Sequence, residues 1–306
     1  MKPIRPKTLP CEILVERGIL KKAGSLLASP GGGSRRFLWL CDLPDTDPAP
    51  SAVLASLEKA GHTVVRVTND SPTADAILAV GDTEALEQAL LYASRTLPDL
   101  PCALVPTTFR AQLDFPLDGP VGLVLCDPSL PVSETDFRRG VVELIRYAVG
   151  FDRLLFDLLY TDFDRGALLR RCLAVRCDLL DADKTDLFDR LGAPFGLAIE
   201  DVLFESDPDA DEDVDVADAL AIGLAAATRY ALKTGFCRQD FLSDLVGLLT
   251  YHGFPNSALI SDGEMLASFL DHPWADGKPT LSLPRRLGEC GLVTVDPSDL
   301  VGLLPS

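Results

Sequence analysis

Short apolar runs alternate with amphipathic helical patterns over roughly the first 130 residues of the chain. The run at residues 37–41 is apolar throughout and stops at Asp42, as expected of a strand buried on both faces. Similar runs follow it, and the predicted strands are residues 37–41, 63–67, 76–80, 102–105 and 121–126. Because buried strands alternate with helices, this half of the chain is predicted to form an α/β layer.

The helices of this half are indicated by their ends as well as by their periodicity. Ser51 is a good N-cap, and Gly61 stands where a left-handed residue commonly ends a helix, so a helix is predicted over residues 51–60. Residues 83–95 have the apolar spacing of an amphipathic helix.

After Pro131 the apolar positions recur almost throughout with helical spacing. Ser133 is an N-cap with Asp136 three residues on, an imperfect capping box that opens a helix to Val149. The other predicted helices are residues 166–181, 186–204, 214–234, 239–252 and 263–270, and residues 279–283 are predicted as a late strand that packs on them. We therefore predict an α/β N-terminal domain over residues 1–130 and an all-helical C-terminal domain, apart from that strand, over residues 131–306.

Composition restricts the classes of partner. The chain has 306 residues, 47% of them hydrophobic, and a formal net charge of −18. That charge would repel nucleic acid and anionic membranes, so neither is expected as a partner. The longest apolar stretch, residues 219–227, is far shorter than the roughly 20 residues that cross a bilayer, and residues 1–11 have no apolar signal segment. We therefore expect a cytoplasmic protein.

Several residues with binding chemistry stand at predicted strand ends. Asp42, Gly81 and the pair Thr107-Thr108 each follow a buried strand, and ligands of open α/β sheets sit at the carboxyl ends of strands. Asp42 could hold ribose hydroxyls, and Gly81 leads into a helix start, where phosphate is favoured. Spacing alone is equally compatible with ordinary strand-end residues.

Two segments carry a family resemblance. The first is Val105-Pro106-Thr107-Thr108 with Ala111-Gln112-Leu113-Asp114, and the second, about thirty residues later, runs from Gly140 through Glu143 and Arg146 to Tyr147. In this order they resemble the dehydroquinate synthase family of sugar-phosphate cyclases. The resemblance implies a nucleotide-binding domain followed by a helical metal and substrate domain, with a cleft between them. It also implies NAD, a divalent metal that is usually zinc, and ring closure of a heptulosonate phosphate.

The resemblance assigns roles to individual positions. It places Asp42, Gly81, Thr107 and Thr108 at the cofactor, Asp114, Arg146 and Arg176 on the substrate side, and Glu143 at the metal. Both arginines stand where the family has lysine, and arginine pairs with anions in a different geometry. Glu143 and Arg146 are equally well explained as a structural ion pair between helices.

The metal site departs from the family pattern. Ala193 and Val216 stand at the two histidine positions, so Glu143 alone remains of three protein ligands. The histidines of the chain lie outside these motifs, and a surface role is expected for His62. Zinc or another divalent metal is therefore not expected.

The cofactor and substrate segments depart as well. The glycine triplet of the phosphate loop reads Gly81-Asp82-Thr83, which brings a carboxylate toward a pyrophosphate and weakens NAD binding. The lysine-bearing loop after Asp114 is replaced by the short segment 115–120.

The leading hypothesis is a diverged member without metal-dependent cyclase activity. Such a protein would be a binding, regulatory or partner subunit, as a homodimer or in a heteromer with an intact homologue, with a sugar phosphate as ligand. The alternatives are an active dehydroquinate synthase or related cyclase, a metal-dependent alcohol dehydrogenase, and a simple module that binds NAD or sugar phosphate.

Overall fold

The computed structural model describes residues 2–29, 32–66, 73–117, 119–161, 164–206, 216–272, 274, 279–300 and 302–303. The chain divides into two compact units. The first is Met1–Phe137 with Asp164–Asp181, and the second is Arg138–Phe163 with Ala182–Ser306. Residues 164–181 thus join the first unit, although the predicted division at residue 131 assigns them to the second domain.

The first unit is built on one parallel sheet. Its strands are β1 (Glu12–Val15), β2 (Arg36–Cys41), β3 (Thr63–Arg66), β4 (Ala76–Gly81), β5 (Cys102–Pro106) and β6 (Val121–Cys126), in the order β1-β6-β5-β4-β2-β3. All the strands predicted from apolar runs are present; the predicted end at Val67 lies outside the described residues. β4 and β5 are buried along their whole length, as central strands of a parallel sheet are.

Helices make up most of the remaining described structure. They are α1 (Ala23–Leu26), α2 (Pro48–Lys59), α3 (Thr83–Thr96), α4 (Phe109–Leu113), α5 (Glu134–Gly150), α6 (Arg153–Leu158), α7 (Arg165–Asp181), α8 (Thr185–Asp189), α9 (Ala193–Ser206), α10 (Val216–Lys233), α11 (Gln239–Tyr251) and α12 (Asp262–Asp271). α2 begins before the predicted cap Ser51, because Pro48 has a fixed φ suited to a first helical turn. The predicted helix 186–204 is instead two helices, since Gly192 has φ +76° between them. The predicted start of α10 at Val214 lies outside the described residues.

One face of the sheet forms a large part of the first unit's core. Phe37 and Trp39 of β2 and Leu78 of β4 pack there against Val53 and Leu57 of α2, and all five side chains are buried. Burial of each large apolar side chain contributes roughly 1.5–3 kcal/mol, so this face contributes substantially to the unit's stability.

His62 belongs to this core, and the expected surface role is wrong. Its Nδ1 accepts the Arg35 N–H at 2.9 Å, and its Nε2 lies 2.7 Å from the Gly24 carbonyl oxygen. The ring also meets Phe37 edge-on at 5.4 Å. Because both ring nitrogens are engaged by backbone groups, His62 joins three segments that are distant in sequence and has no position left for a ligand.

The helices α9 and α10 of the second unit pack through glycines. A Cβ added at Gly223 would lie 2.5 Å from the Gly196 nitrogen, and one added at Gly196 would lie 3.1 Å from the Leu220 Cα. Gly192 and Gly196 are therefore needed for the close approach of the two helices.

The second unit ends in a hairpin. β7 (Thr280–Arg286) and β8 (Glu289–Thr294) pair antiparallel, and the Gly288 N–H in the turn donates to the Val149 carbonyl at 2.9 Å. The predicted late strand is thus present. β8 was not predicted, because its half-exposed residues do not form an apolar run. The unit is mainly helical rather than all-helical, and the predicted fold class, an α/β domain with a helical domain, is confirmed. No helix in the described part of the chain combines the length and apolar character that a membrane span requires.

Replacement of Gly223 by alanine tests the helix contact. The added methyl group would overlap Gly192 and Gly196, so G223A should lower the free energy of unfolding by about 1–3 kcal/mol in chemical denaturation. Gly247 on α11 is the matched control, because a Cβ there meets only the Tyr160 hydroxyl oxygen at 3.6 Å. G247A should leave stability unchanged or raise it by up to about 1 kcal/mol. Equal effects of the two substitutions would contradict the close packing.

Candidate functional site

The carboxyl ends of β2, β4 and β5 bring three candidate cofactor positions together. Gly81 is in register with Pro106, and the Thr107 N–H donates to the Gly81 carbonyl at 2.9 Å. A Cβ at Gly81 would lie 3.6 Å from Asp42 Oδ1 and 2.6 Å from the Ala85 Cβ. Gly81 is therefore required by the close approach of α3, and Asp42 and Thr107 flank it on the same sheet edge.

The start of α3 is occupied by a carboxylate of the chain itself. Asp82 is the N-cap, and its side chain accepts the Ala85 N–H at 2.9 Å. A helix N-terminus favours an anion because its first N–H groups have no helical partner and the helix dipole is positive there. At α3 the Asp82 carboxylate already supplies this negative charge and accepts one of these N–H groups.

The start of α4 is capped in the same way. Thr108 is its N-cap and accepts the Ala111 N–H at 3.1 Å, while the two Asp136 carboxylate oxygens accept the Phe109 N–H at 3.0 and 2.8 Å. Thr108 thus has a structural role in this chain. The predicted cap of α5 is present, because Ser133 Oγ accepts the Asp136 N–H at 3.1 Å. The Asp136 carboxylate, however, caps the second helix α4.

A cavity of about 450 Å³ opens beside this edge of the sheet. Asp42, Asp82 and Glu84 line it together with Cys41 and Tyr92. Burial raises the pKa of the Cys41 thiol, so that thiol is neutral near pH 7 and does not offset the carboxylates. Three carboxylates around one cavity create a negative potential, which disfavours binding of a pyrophosphate. The same carboxylates can accept hydrogen bonds from the hydroxyl groups of a ligand.

Two of the substrate-side candidates contact each other within the first unit. Asp114, at the end of α4, has its Oδ1 3.0 Å from Arg176 Nη2, and Arg176 Nη1 donates to the Leu113 carbonyl at 3.2 Å. The guanidinium lies 5.2 Å from the centre of the Phe115 ring. The two side chains are 32% and 19% exposed, so this pair remains accessible to a dissolved anion.

The third substrate-side candidate, Arg146, is paired with the metal candidate Glu143. Arg146 Nη1 donates to Glu143 Oε2 at 2.8 Å, one turn apart on α5, and the side chains are only 6% and 3% exposed. Arg146 Nη2 donates to the Phe188 carbonyl at 2.5 Å, and its guanidinium stacks 4.0 Å from the Phe188 ring centre. The two residues thus form a buried ion pair, but within one helix rather than between helices as expected.

A further ion pair involves a residue that the sequence did not single out. Arg138 Nη2 lies 2.5 Å from Asp218 Oδ1, and the guanidinium lies 4.7 Å from the Phe254 ring centre. Asp218 is the third residue of α10, two positions after Val216, where the resemblance implies a histidine. Arg138 lies on α5 about one and a half turns before Glu143, just ahead of the stretch that is buried from Gly140 onward. This position in the helix is the feature that could have pointed to Arg138.

The two positions for which the resemblance implies histidine ligands lie at helix starts in the second unit. Ala193 and Val216 begin α9 and α10 and offer no ligand atoms in their side chains. Within the described ranges no three His, Cys, Asp or Glu side chains gather closely enough to hold an ion. His252 Nε2 lies 2.9 Å from the Leu159 carbonyl oxygen, and burial lowers its pKa, so this imidazole is also part of the packing.

Comparison with known proteins supports the resemblance found in the motifs. No protein-family model matches the chain. The chain is 27% identical over 263 residues to the 3-dehydroquinate synthase of Pelobacter propionicus, an alignment of 74% of the chain and 71% of that protein. It is 26% identical over 219 residues to the 3-dehydroquinate synthase of Buchnera aphidicola, with 60% of each protein aligned, so the chain spans less than two thirds of that relative. The resemblance to dehydroquinate synthases is therefore confirmed.

Solved structures share the fold across nearly the whole chain. A 2-deoxy-scyllo-inosose synthase complexed with carbaglucose-6-phosphate, NAD+ and Co2+ matches with a TM-score of 0.78 at 16% identity, over 99% of this chain and 98% of that one. ValA, the 2-epi-5-epi-valiolone synthase of Streptomyces hygroscopicus subsp. jinggangensis with NAD+ and Zn2+ bound, matches with a TM-score of 0.73 at 18% identity, over 98% and 97%. The fold is thus that of sugar-phosphate cyclases.

Substitution of the buried ion pair tests its role. Arg146→Met should lower the free energy of unfolding by about 3–5 kcal/mol, because Glu143 would be left buried without its compensating charge. The double variant E143M/R146M removes both charges and should recover most of that loss.

The exposed pair Arg286–Glu289, with side chains 80% and 40% exposed, is the control. R286M should change the free energy of unfolding by at most about 1 kcal/mol. A double variant as unstable as R146M would show that the two charges do not compensate each other.

Proposed function

We propose that the chain is a dehydroquinate-synthase-like protein without metal-dependent cyclase activity, acting as a binding, regulatory or partner subunit. The observation that carries the proposal is the buried pair of Glu143 and Arg146. Glu143 is the one carboxylate that resembles a family metal ligand, and an arginine of the same helix already supplies its positive counter-charge.

A guanidinium cannot replace the chemistry of the metal. A catalytic zinc ion has three protein ligands and an open position, where it polarises a substrate oxygen as a Lewis acid. Arg146 supplies hydrogen bonds and a fixed charge, and both Nη groups already donate, one to Glu143 and one to the Phe188 carbonyl. Restoring a metal would require displacement of a buried side chain as well as new ligands at positions 193 and 216.

The first unit supports a weakened affinity for NAD. Asp42, Gly81 and Thr107 lie side by side, which suits the adenosine part of a dinucleotide. The Asp82 carboxylate stands at the start of α3, where the pyrophosphate would be placed, so the two negative charges repel each other. In this proposal the affinity for a nucleoside is weakened less than the affinity for a dinucleotide.

A sugar phosphate is the proposed substrate-side ligand. Arg176 keeps a positive charge at the partly exposed pair with Asp114, and arginine binds phosphate well through paired N–H groups. The proposed assembly is a homodimer, or a heteromer with an intact homologue that supplies the missing chemistry.

A second candidate is a working cyclase with a rebuilt site. It is favoured by the fold, which matches sugar-phosphate cyclases solved with NAD+ and a metal over nearly the entire chain. It requires turnover by this protein itself, so metal binding and activity must be measured on the same preparation.

Metal content and turnover test the main proposal. After incubation with zinc or cobalt and exhaustive dialysis, we expect metal analysis to find far less than one ion per chain. With a heptulosonate phosphate and NAD, phosphate release should not exceed the blank. A 3-dehydroquinate synthase handled in parallel is the positive control. Stoichiometric metal with turnover would establish the second candidate instead, and metal-independent turnover would indicate a rebuilt catalytic site.

The variant Asp82→Gly tests the account of NAD binding. Removal of the carboxylate from the cavity should strengthen NAD binding by about tenfold, measured by calorimetric titration. Asp152→Gly is the matched control, because Asp152 is also an N-cap aspartate and belongs to the second unit. It should leave NAD affinity unchanged. Unchanged affinity in D82G would show that Asp82 does not oppose the pyrophosphate.

A further inference from the structure

A separate cavity of about 280 Å³ lies at the opposite edge of the parallel sheet. Its walls come from the beginnings of the strands and from the end of α1, all within the first unit. The residues that the argument uses are Glu12, Leu26, Arg35, Phe37, Cys102 and Ala103. Because the strands are parallel, this amino-terminal edge is remote from the edge that holds Asp42, Gly81 and Thr107.

The floor of this cavity is apolar. Phe37 of β2 and Ala103 of β5 belong to the buried core face, and Leu26 of α1 is only partly buried against that face. Ala103 has a small side chain, which leaves space beside the larger Phe37. Burial raises the pKa of the Cys102 thiol to about 12, so it is neutral and adds to the apolar surface.

The mouth of the cavity has an excess of positive charge. Glu12 and Arg35 both line it, but the Glu12 carboxylate accepts the Arg5 Nε–H at 2.9 Å, so Arg5 neutralises it. The Arg35 guanidinium makes one long hydrogen bond, from Nη1 to the Leu27 carbonyl at 3.4 Å, and forms no ion pair with any carboxylate of the described residues. Among the described residues the Arg35 charge is therefore left unneutralised, although the whole chain has a net charge of −18.

The backbone of Arg35 is fixed in place. Its N–H donates to His62 Nδ1 at 2.9 Å, and its carbonyl accepts the Thr63 N–H at 3.0 Å. Because His62 is itself bonded to Gly24, the start of the Arg35 side chain is held rigidly beside the cavity. Fixing the backbone limits the region that the guanidinium can reach, which lowers the loss of conformational freedom when it binds an anion.

We propose that this cavity binds a small apolar carboxylate of about the size of benzoate. The carboxylate accepts hydrogen bonds from the Arg35 guanidinium, and the ring or alkyl group lies on Phe37, Leu26 and Ala103. Paired N–H donors of arginine match the two oxygens of a carboxylate. The volume is just below the roughly 300–1,000 Å³ usual for drug-sized ligands, which excludes a dinucleotide.

Titration of the full chain with benzoate, followed by calorimetry and protein NMR, tests the site. We expect saturable binding of benzoate, with benzamide, its neutral analogue of the same shape, bound at least about tenfold more weakly. Arg35→Met should weaken benzoate binding by about tenfold or more. The neighbouring Arg36→Met, whose side chain does not line the cavity, should leave it unchanged.

Filling the cavity is an independent check. Leu26→Trp places a larger ring in the cavity from a partly buried position and should abolish benzoate binding while the fold is retained. The comparison of benzoate with benzamide needs no substitution, so the test stands even if one variant fails to fold. Absence of benzoate binding, equal binding of benzamide, or chemical-shift changes centred on Asp42 rather than Arg35 would overturn the proposal.

Discussion

The structure depends on the neutralisation of one buried carboxylate. Glu143 lies on the buried part of α5 and is only 3% exposed, where an isolated negative charge would cost several kcal/mol. In this chain the Arg146 guanidinium donates to the carboxylate and supplies the positive charge. The pair is neutral as a unit, so α5 can bury both side chains.

The same arrangement recurs at the other carboxylates of the family positions. Asp114 is paired with Arg176 in the first unit, and Asp218 is paired with Arg138 in the second. These two pairs are partly exposed, whereas the Glu143–Arg146 pair is buried. The exposed pairs are therefore easier to open than the buried one. An exposed pair can open to admit an anion at little cost, because water solvates both partners. The two partly exposed pairs are therefore the ones that could exchange a partner for a phosphate or carboxylate group.

The parallel sheet presents opposite electrostatic character at its two edges. At the carboxyl edge Asp42, Asp82 and Glu84 surround a cavity and oppose the phosphates that such an edge commonly binds. At the amino edge Arg35 stands over an apolar cavity without a carboxylate partner among the described residues. The two ends of the strands in this unit therefore differ in charge, although the fold is shared with a synthase solved with NAD+ and Zn2+ bound.

The sequence by itself determined the strands of the sheet, most of the helices and the absence of ligand atoms at positions 193 and 216. These follow from apolar spacing along the backbone and from residue type, which are local properties. Only the tertiary structure decided which side chains are paired. Asp218 lies 80 residues from Arg138, and His62 lies 38 residues from Gly24, so no local pattern reveals either contact. Packing likewise decided the helix break at Gly192 and the half-exposed strand β8. The close approach of α9 to α10 and the pairing of β8 with β7 compensate for weak local signals.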